Sequence, residues 1–306
     1  MAIDTRGSVA APEGAPPRSS SIDHDKPVQA VPSGRDRVGR IATYLVLAFM
    51  AILLLFPLYI AVVFSLVDHP AKILTDPPVL LRDFNWRVYP DAFTNGDLGR
   101  YFINSIVMSL AIMSGQLITS VLAAYAFAFL RFPLKRVIFA LFLATMMVPV
   151  EVIFTQNFQI ILDLGWKNSY QGLIVPFLAF GFGTFLLRQA FLAIPGDLRD
   201  AAALDGYGHF GFLTRVVVPL AKPMLATLSV FSFLMAWNQY LWPLLVADDR
   251  QYRTIQIALQ SLVKSNPDQL NQGYAAVIMA FIPLFLLLIF FERQLVRGLT
   301  AGAVKG

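Results

Sequence analysis

The sequence predicts an all-α membrane protein with six transmembrane helices and both termini on the cytoplasmic side. Composition is the first ground: of 306 residues, 57% are hydrophobic and 14% charged, where a soluble domain carries about a quarter charged residues. The second is a set of long uncharged windows, and the third is the charge of the segments between them. Mean hydropathy of +0.63 agrees. There are no cysteines, which excludes disulfides and thiolate metal sites. The formal charge of +5 comes without a basic tract interleaved with aromatics, so it suits asymmetric membrane loops and not nucleic acid.

Residues 1–38 are rich in Pro, Ser and Ala without apolar periodicity, and read as a disordered cytoplasmic tail. The uncharged windows then fall at 41–67, 101–130, 137–150, 168–187, 223–247 and 269–291. Five have 20 to 30 residues, enough to span where about 20 are needed. The third has 14 before Glu151 and continues apolar to Leu162, so it is predicted as one span interrupted by Pro149 and an acid. The predicted membrane domain covers 39–297, followed by a cytoplasmic tail over 298–306. With both termini inside, the inner flanks hold thirteen Lys and Arg against eight outside. The positive-inside rule favours that orientation.

One stretch breaks the apolar pattern. Residues 194–223 are mixed, amphipathic and interrupted by glycine, and the charge count places them in the cytoplasm. Pro195 rules out a continuing helix, and Asp197 with Asp200 approximates a capping box for a new one. Gly206 supplies the turn at its end. A second helical stripe follows at Phe210, Leu213, Val217 and Leu220, with Pro219 and Pro223 marking the entry to the next span. Two short helices joined at a glycine on a membrane face form either a docking surface or an interfacial hairpin.

Polar residues inside the spans are candidates for a transport path. On a continuous helix Glu151 lies about 22 Å beyond Arg136, towards the outer face, where a carboxylate needs a partner or a wet cavity. The alternative is an interfacial acid at a kinked helix end. Gln156, Asn157 and Gln159 extend the polar character and suit hydroxyl-rich ligands. Asn238 and Gln239 lie about 24 Å from Pro223 along the fifth span. Asn238 either bonds a neighbouring helix or lines the path. Trp242 and Tyr240 fit an outer aromatic belt. Arg188, at the inner end of the fourth span, reads as a snorkelling side chain.

No nucleotide-binding Gly-x-x-x-x-Gly-Lys loop is present, and His24, His69 and His209 are scattered, so neither ATP binding by this chain, a metal site nor a catalytic triad is expected.

Asp200-Ala201-Ala202, three residues to Gly206, nine more, then Val216-x-Val218-Pro219 resembles the EAA loop of ABC-importer permeases. The family pattern has Glu, Ile and Leu where Asp200, Val216 and Val218 stand; Asp205 lies just before the glycine. Leu122-Ala-Ala-Tyr-Ala-Phe127 with Arg131-Phe-Pro133, Leu164-Gly-Trp-Lys-Asn-Ser-Tyr170, Phe185-Leu-Leu-Arg-Gln189 and the ending Gly298–Gly306 are similar to the maltose-type branch. Asp83-Phe-Asn-Trp86 and Tyr89-Pro-Asp-Ala-Phe93 resemble the segment before the second span of carbohydrate permeases; the alternative is a solvated loop with interfacial aromatics. Val148-Pro-Val-Glu151-Val and Trp237–Pro243 resemble both the glycerol 3-phosphate branch and related sugar permeases.

This resemblance implies the type I importer permease fold and alternating access. It implies a second permease subunit, two ATPase subunits carrying ATP and Mg, and an extracytoplasmic substrate-binding protein. It assigns ATPase coupling to Asp200, Ala201, Ala202, Asp205, Gly206, Val216, Val218 and Pro219, and brings the C-terminal tail to the ATPase dimer. Two other classes remain: an ion-coupled secondary transporter using Glu151, and a noncatalytic membrane scaffold.

Overall fold

The computed structural model describes residues 34–301 apart from 82, 83, 96 and 266, and leaves aside the side chains of 34–38, 95, 262–265 and 293–301. Residues 1–33, assigned to the tail, and 302–306 therefore lie outside the described residues, as does Asp83 of the outer-loop motif. The first helix begins at Gly34, inside the stretch assigned to the tail, and the last runs to Ala301, past the expected start of the C-terminal tail.

The chain divides into two units, 1–54 and 55–306. In the first, every described side chain from Gly39 to Leu54 is exposed, including Leu45, Phe49 and Leu53. Such a helix is apolar all round, as a lipid-facing helix must be.

In the second unit, helix Leu98–Phe129 is the central element and packs against helices Gly181–Leu192 and Lys222–Trp237. The last helix, Leu270–Ala301, lies against Lys222–Trp237 and Val88–Asn95. Small residues permit these contacts: a Cβ built on Gly183 would meet the Phe180 ring at 2.7 Å, Ser120 Oγ at 2.8 Å and Leu228 at 3.1 Å. Close approach at small residues is how helices associate where lipid removes the hydrophobic drive.

Among the described residues three helices are long and apolar enough to span a membrane: Gly39–Ser65, Leu98–Phe129 and Pro267–Glu292. Three bent pairs bring the number to six if each pair makes one span. The third window is not a straight span. Its halves, Lys135–Thr145 and Val150–Asp163, meet at 96°, with Pro149 extended at the joint. The fourth, Tyr170–Phe177 with Gly181–Leu192, bends by 43°. The fifth window ends early, because its helix stops at Trp237 and Leu241–Val246 forms a separate short helix.

A break within a membrane leaves carbonyls that need donors. At 177–180 the central helix supplies them. Gln116 Nε2 donates to the Phe177 carbonyl at 2.9 Å, Thr119 Oγ1 to Leu178 at 2.6 Å and Ser120 Oγ to Phe180 at 3.4 Å.

Candidate functional site

The glycine-interrupted stretch folds as two short helices on one end of the central helix. The first, Gly196–Leu204, starts at Pro195, whose extended ψ of 138° turns the chain in without a side-chain cap. Asp197 therefore does not cap. It sits in the first turn, where a carboxylate complements the helix dipole.

The other end of that helix is as expected. Tyr207 N–H donates to the Ala202 carbonyl at 2.9 Å and Gly206 N–H to Ala203 at 3.1 Å. These are the two bonds of a Schellman closure, and Gly206 takes the left-handed φ of +79° that it requires.

The second helix runs His209–Leu220 and contains a π-turn over Leu213–Val217, just before Pro219. Its buried face is Phe212, Leu213 and Val217, whereas Phe210 and Leu220 are 76% and 53% exposed. The expected stripe is thus half right. The wider π-turn rotates the side chains relative to a regular 3.6-residue pattern.

Ala202, Phe212, Leu213 and Val217 join Ala124, Tyr125, Leu187, Phe191 and Leu228 in one buried cluster, anchoring the loop to helices Leu98–Phe129, Gly181–Leu192 and Lys222–Trp237. Val216 and Val218 pack at its margin. Outward face Asp200, Ala201, Asp205, Gly206 and Pro219, together with Leu204 at 90% exposure. The arrangement is a rigid inner face under an outer face of mixed charge and bare apolar side chains. Tyr125 and His209, which the sequence left without a role, tie the two layers together through a 3.0 Å hydrogen bond. The only sequence signal for the pair was a tyrosine in a span and a histidine in the loop.

The path candidates are not brought together by any hydrogen bond among the described residues. Glu151 is exposed in the first turn of Val150–Asp163, a position that suits a carboxylate. Its expected depth of about 22 Å assumed a continuous helix, and the 96° bend removes that basis. Asn238 neither reaches a neighbouring helix nor needs to: its Nδ2 donates to the Leu234 carbonyl at 2.9 Å, closing its own helix. Gln239 is different, because its Oε1 is buried without a partner among the described residues. Gln159 is held by Asp163 at 3.0 Å, and Asn157 lines a cleft of about 310 Å³ with Ile161 and Trp166. Trp242 is buried and donates to the Gly172 carbonyl at 3.0 Å, so it belongs to the core and not to an interfacial belt.

Arg188 does not snorkel. Its Nε donates to the Phe127 carbonyl at 3.2 Å, and its guanidinium lies 4.3 Å from the Phe139 ring centre.

A larger open cleft of about 730 Å³ is lined by Phe93, Asp97, Arg100, Asn104, Tyr170 and Gln251, among others. Its floor is Asn104, 3% exposed, which donates to the carbonyls of Gln251 and Arg253 at 2.8 and 2.9 Å and accepts from the Tyr170 hydroxyl at 2.7 Å. Nearby, Lys167 and Asp248 pair at 2.6 Å. None of the path candidates lines this cleft.

Comparison with known proteins agrees with the loop. Residues 116–301 match the family described as binding-protein-dependent transport system inner membrane component. The sn-glycerol-3-phosphate transport system permease protein UgpE of Yersinia enterocolitica is 36% identical over 264 residues, covering 84% of this chain and 94% of that protein. The protein of the same name from Brucella abortus is 36% identical over 271 residues, covering 86% and 96%. Among solved structures, a chain of a bacterial ABC transporter involved in import of the acidic polysaccharide alginate superposes with a TM-score of 0.75. It has 23% identity, over 85% of this chain and 98% of that one. With the motif, the helical architecture and these matches in agreement, the chain belongs to the binding-protein-dependent family of inner-membrane ABC transporter permeases.

Proposed function

We propose that this permease subunit carries sn-glycerol 3-phosphate or a carbohydrate inward by alternating access, with ATP hydrolysed by a separate ATPase dimer. The names of its 36%-identical relatives support the glycerol 3-phosphate branch. The remaining partners are a second, non-identical permease and an extracytoplasmic binding protein. Thirteen basic residues against eight support both termini and the 194–223 loop lying in the cytoplasm.

One observation carries the coupling role. The Gly196–Leu204 helix is fixed from below by Ala202 and presents Asp200, Ala201, Leu204 and Asp205 above, with Phe210 beside them. Small Ala201 allows close approach of an ATPase groove, Leu204 and Phe210 supply apolar anchors, and Asp200 meets a basic residue. Val216, Val218 and Pro219 set the angle at which the loop enters the following span. The C-terminal tail reaches the same ATPase dimer.

Along the path we assign Glu151, Asn238 and Gln239, with Gln239 first because its buried oxygen has capacity for a ligand hydroxyl. An ion-coupled reading with Glu151 as the coupling acid is not retained, since a binding-protein-dependent permease draws on ATP.

The test is the reconstituted complex with both permeases, ATPase and binding protein. Asp200→Arg should leave assembly in the membrane intact but lower substrate accumulated per ATP, and an acidic replacement of the facing ATPase residue should partly restore it. Unchanged accumulation per ATP would remove the docking role. Competition between labelled sn-glycerol 3-phosphate and oligosaccharides in the same vesicles identifies the substrate.

A further inference from the structure

The end of the central helix holds two cations that the transport reading does not use. Lys135 Nζ donates to the carbonyls of Ala128 and Leu130 at 3.3 and 2.9 Å, while Arg188 Nε takes the neighbouring Phe127 carbonyl. These acceptors are neutral, and the helix C-terminus offers only about half a negative charge against two full positive ones. Among the described residues no carboxylate lies within 4.0 Å of either cation.

The surroundings are aromatic and apolar. Arg188 stacks on Phe139, Lys135 lies 6.0 Å from the Phe132 ring centre, and the Phe127 ring contacts both phenylalanines. From this point an exposed apolar stripe runs along the adjoining helix: Leu134, Val137, Ile138 and Leu141 are 70%, 52%, 44% and 64% exposed. Their spacing puts them on one helical face. Leu134 holds a left-handed φ of +56° at the head of the stripe.

Uncompensated cations at the head of an apolar stripe match one ligand chemistry: a phosphate monoanion with hydrocarbon attached. We propose that Lys135 and Arg188 seat the phosphate of an anionic phospholipid whose acyl chain lies along Leu134, Val137, Ile138 and Leu141. A protein carboxylate would satisfy the charges but leave the stripe bare. A free phosphate would do the same.

The experiment uses the assembled transporter in mild detergent, titrated with phosphatidylglycerol or with phosphatidylcholine of the same chains, and read by native mass spectrometry. Wild type should retain phosphatidylglycerol preferentially. Arg188→Gln and Lys135→Gln should each weaken that retention about fivefold, while Lys222→Gln, an exposed lysine at the same end, should not. Equal retention of the two lipids by wild type, or undiminished phosphatidylglycerol in both variants, overturns the proposal. Displacement of the lipid by millimolar sodium phosphate would make the ligand a free anion and overturns it equally. A photoactivatable phosphatidylglycerol should label residues 127–142 of the wild-type complex, an arm that needs no variant to fold. Labelling confined to other segments, or a cross-link there to the second permease in place of lipid, would also refute it.

Discussion

The Tyr125 hydroxyl and His209 Nδ1 lie 3.0 Å apart, with the rings edge to face, at the cluster that joins the 194–223 loop to the central helix. Tyr125 is 6% exposed, so its hydroxyl finds little competition from water. The pair is a directional contact in an interface otherwise made of non-directional apolar packing. Tyr125→Phe keeps the ring and removes only that direction. The expected result is normal insertion and ATPase binding, with substrate accumulated per ATP reduced by up to about fivefold, the worth of one hydrogen bond. Simultaneous measurement of hydrolysis and uptake checks it.

Gly206 separates backbone from space. Nothing lies within 4 Å of a Cβ built there, so any penalty comes from its φ of +79° alone. Gly206→Val should cost about 1–2 kcal/mol locally and uncouple hydrolysis from uptake. Gly206→Asn, which tolerates the left-handed region, should retain most coupling. A valine variant that transports normally would show that the Schellman closure is dispensable.

Asn104 makes three hydrogen bonds to partners distant in sequence, from Tyr170 to Arg253. Asn104→Leu leaves two carbonyls and a hydroxyl without it, at about 1–3 kcal/mol for each group that water cannot reach. A clear fall in Tm of the purified complex is expected, and thermal unfolding followed in detergent measures it.

For the path, Gln239→Leu should slow uptake at limiting substrate more than Asn238→Ala, because the Asn238 amide is already spent on Leu234. Glu151→Ala should slow uptake without impairing assembly if the carboxylate faces the wet route. Initial rates across substrate concentration separate these variants.

The sequence made the loop legible where local chemistry decides the conformation. A glycine at the end of a short helix has one conformational use, and the fixed interval from Ala201 to Pro219 pointed to the family that the comparisons show. Asp197 misled because Pro195 starts the helix by its own backbone angle. Charge-free windows located the apolar segments but carry no direction, so Pro149 marked an interruption without showing that it turns the chain by 96°. Asn104 and Arg188 were missed or misassigned for a shared reason. Their partners are backbone carbonyls on other segments, which no side-chain pattern announces.

The corner at 177–180 has a mechanical consequence. Its Phe177 and Leu178 carbonyls are held by Gln116 and Thr119 of a neighbouring helix, and its Phe180 carbonyl is shared between Ser120 of that helix and the first backbone rung of its own, from Thr184 N–H at 3.1 Å. A change of angle there swivels Gln116 and Thr119 against two carbonyls and loads one backbone rung, that of Thr184 on Phe180. Thr184 holds the Phe180 carbonyl from the far side at 3.1 Å, so the pivot is gripped from both directions. The 43° elbow is thus a joint whose carbonyls take donors from the neighbouring helix, so a change of angle need not leave them bare.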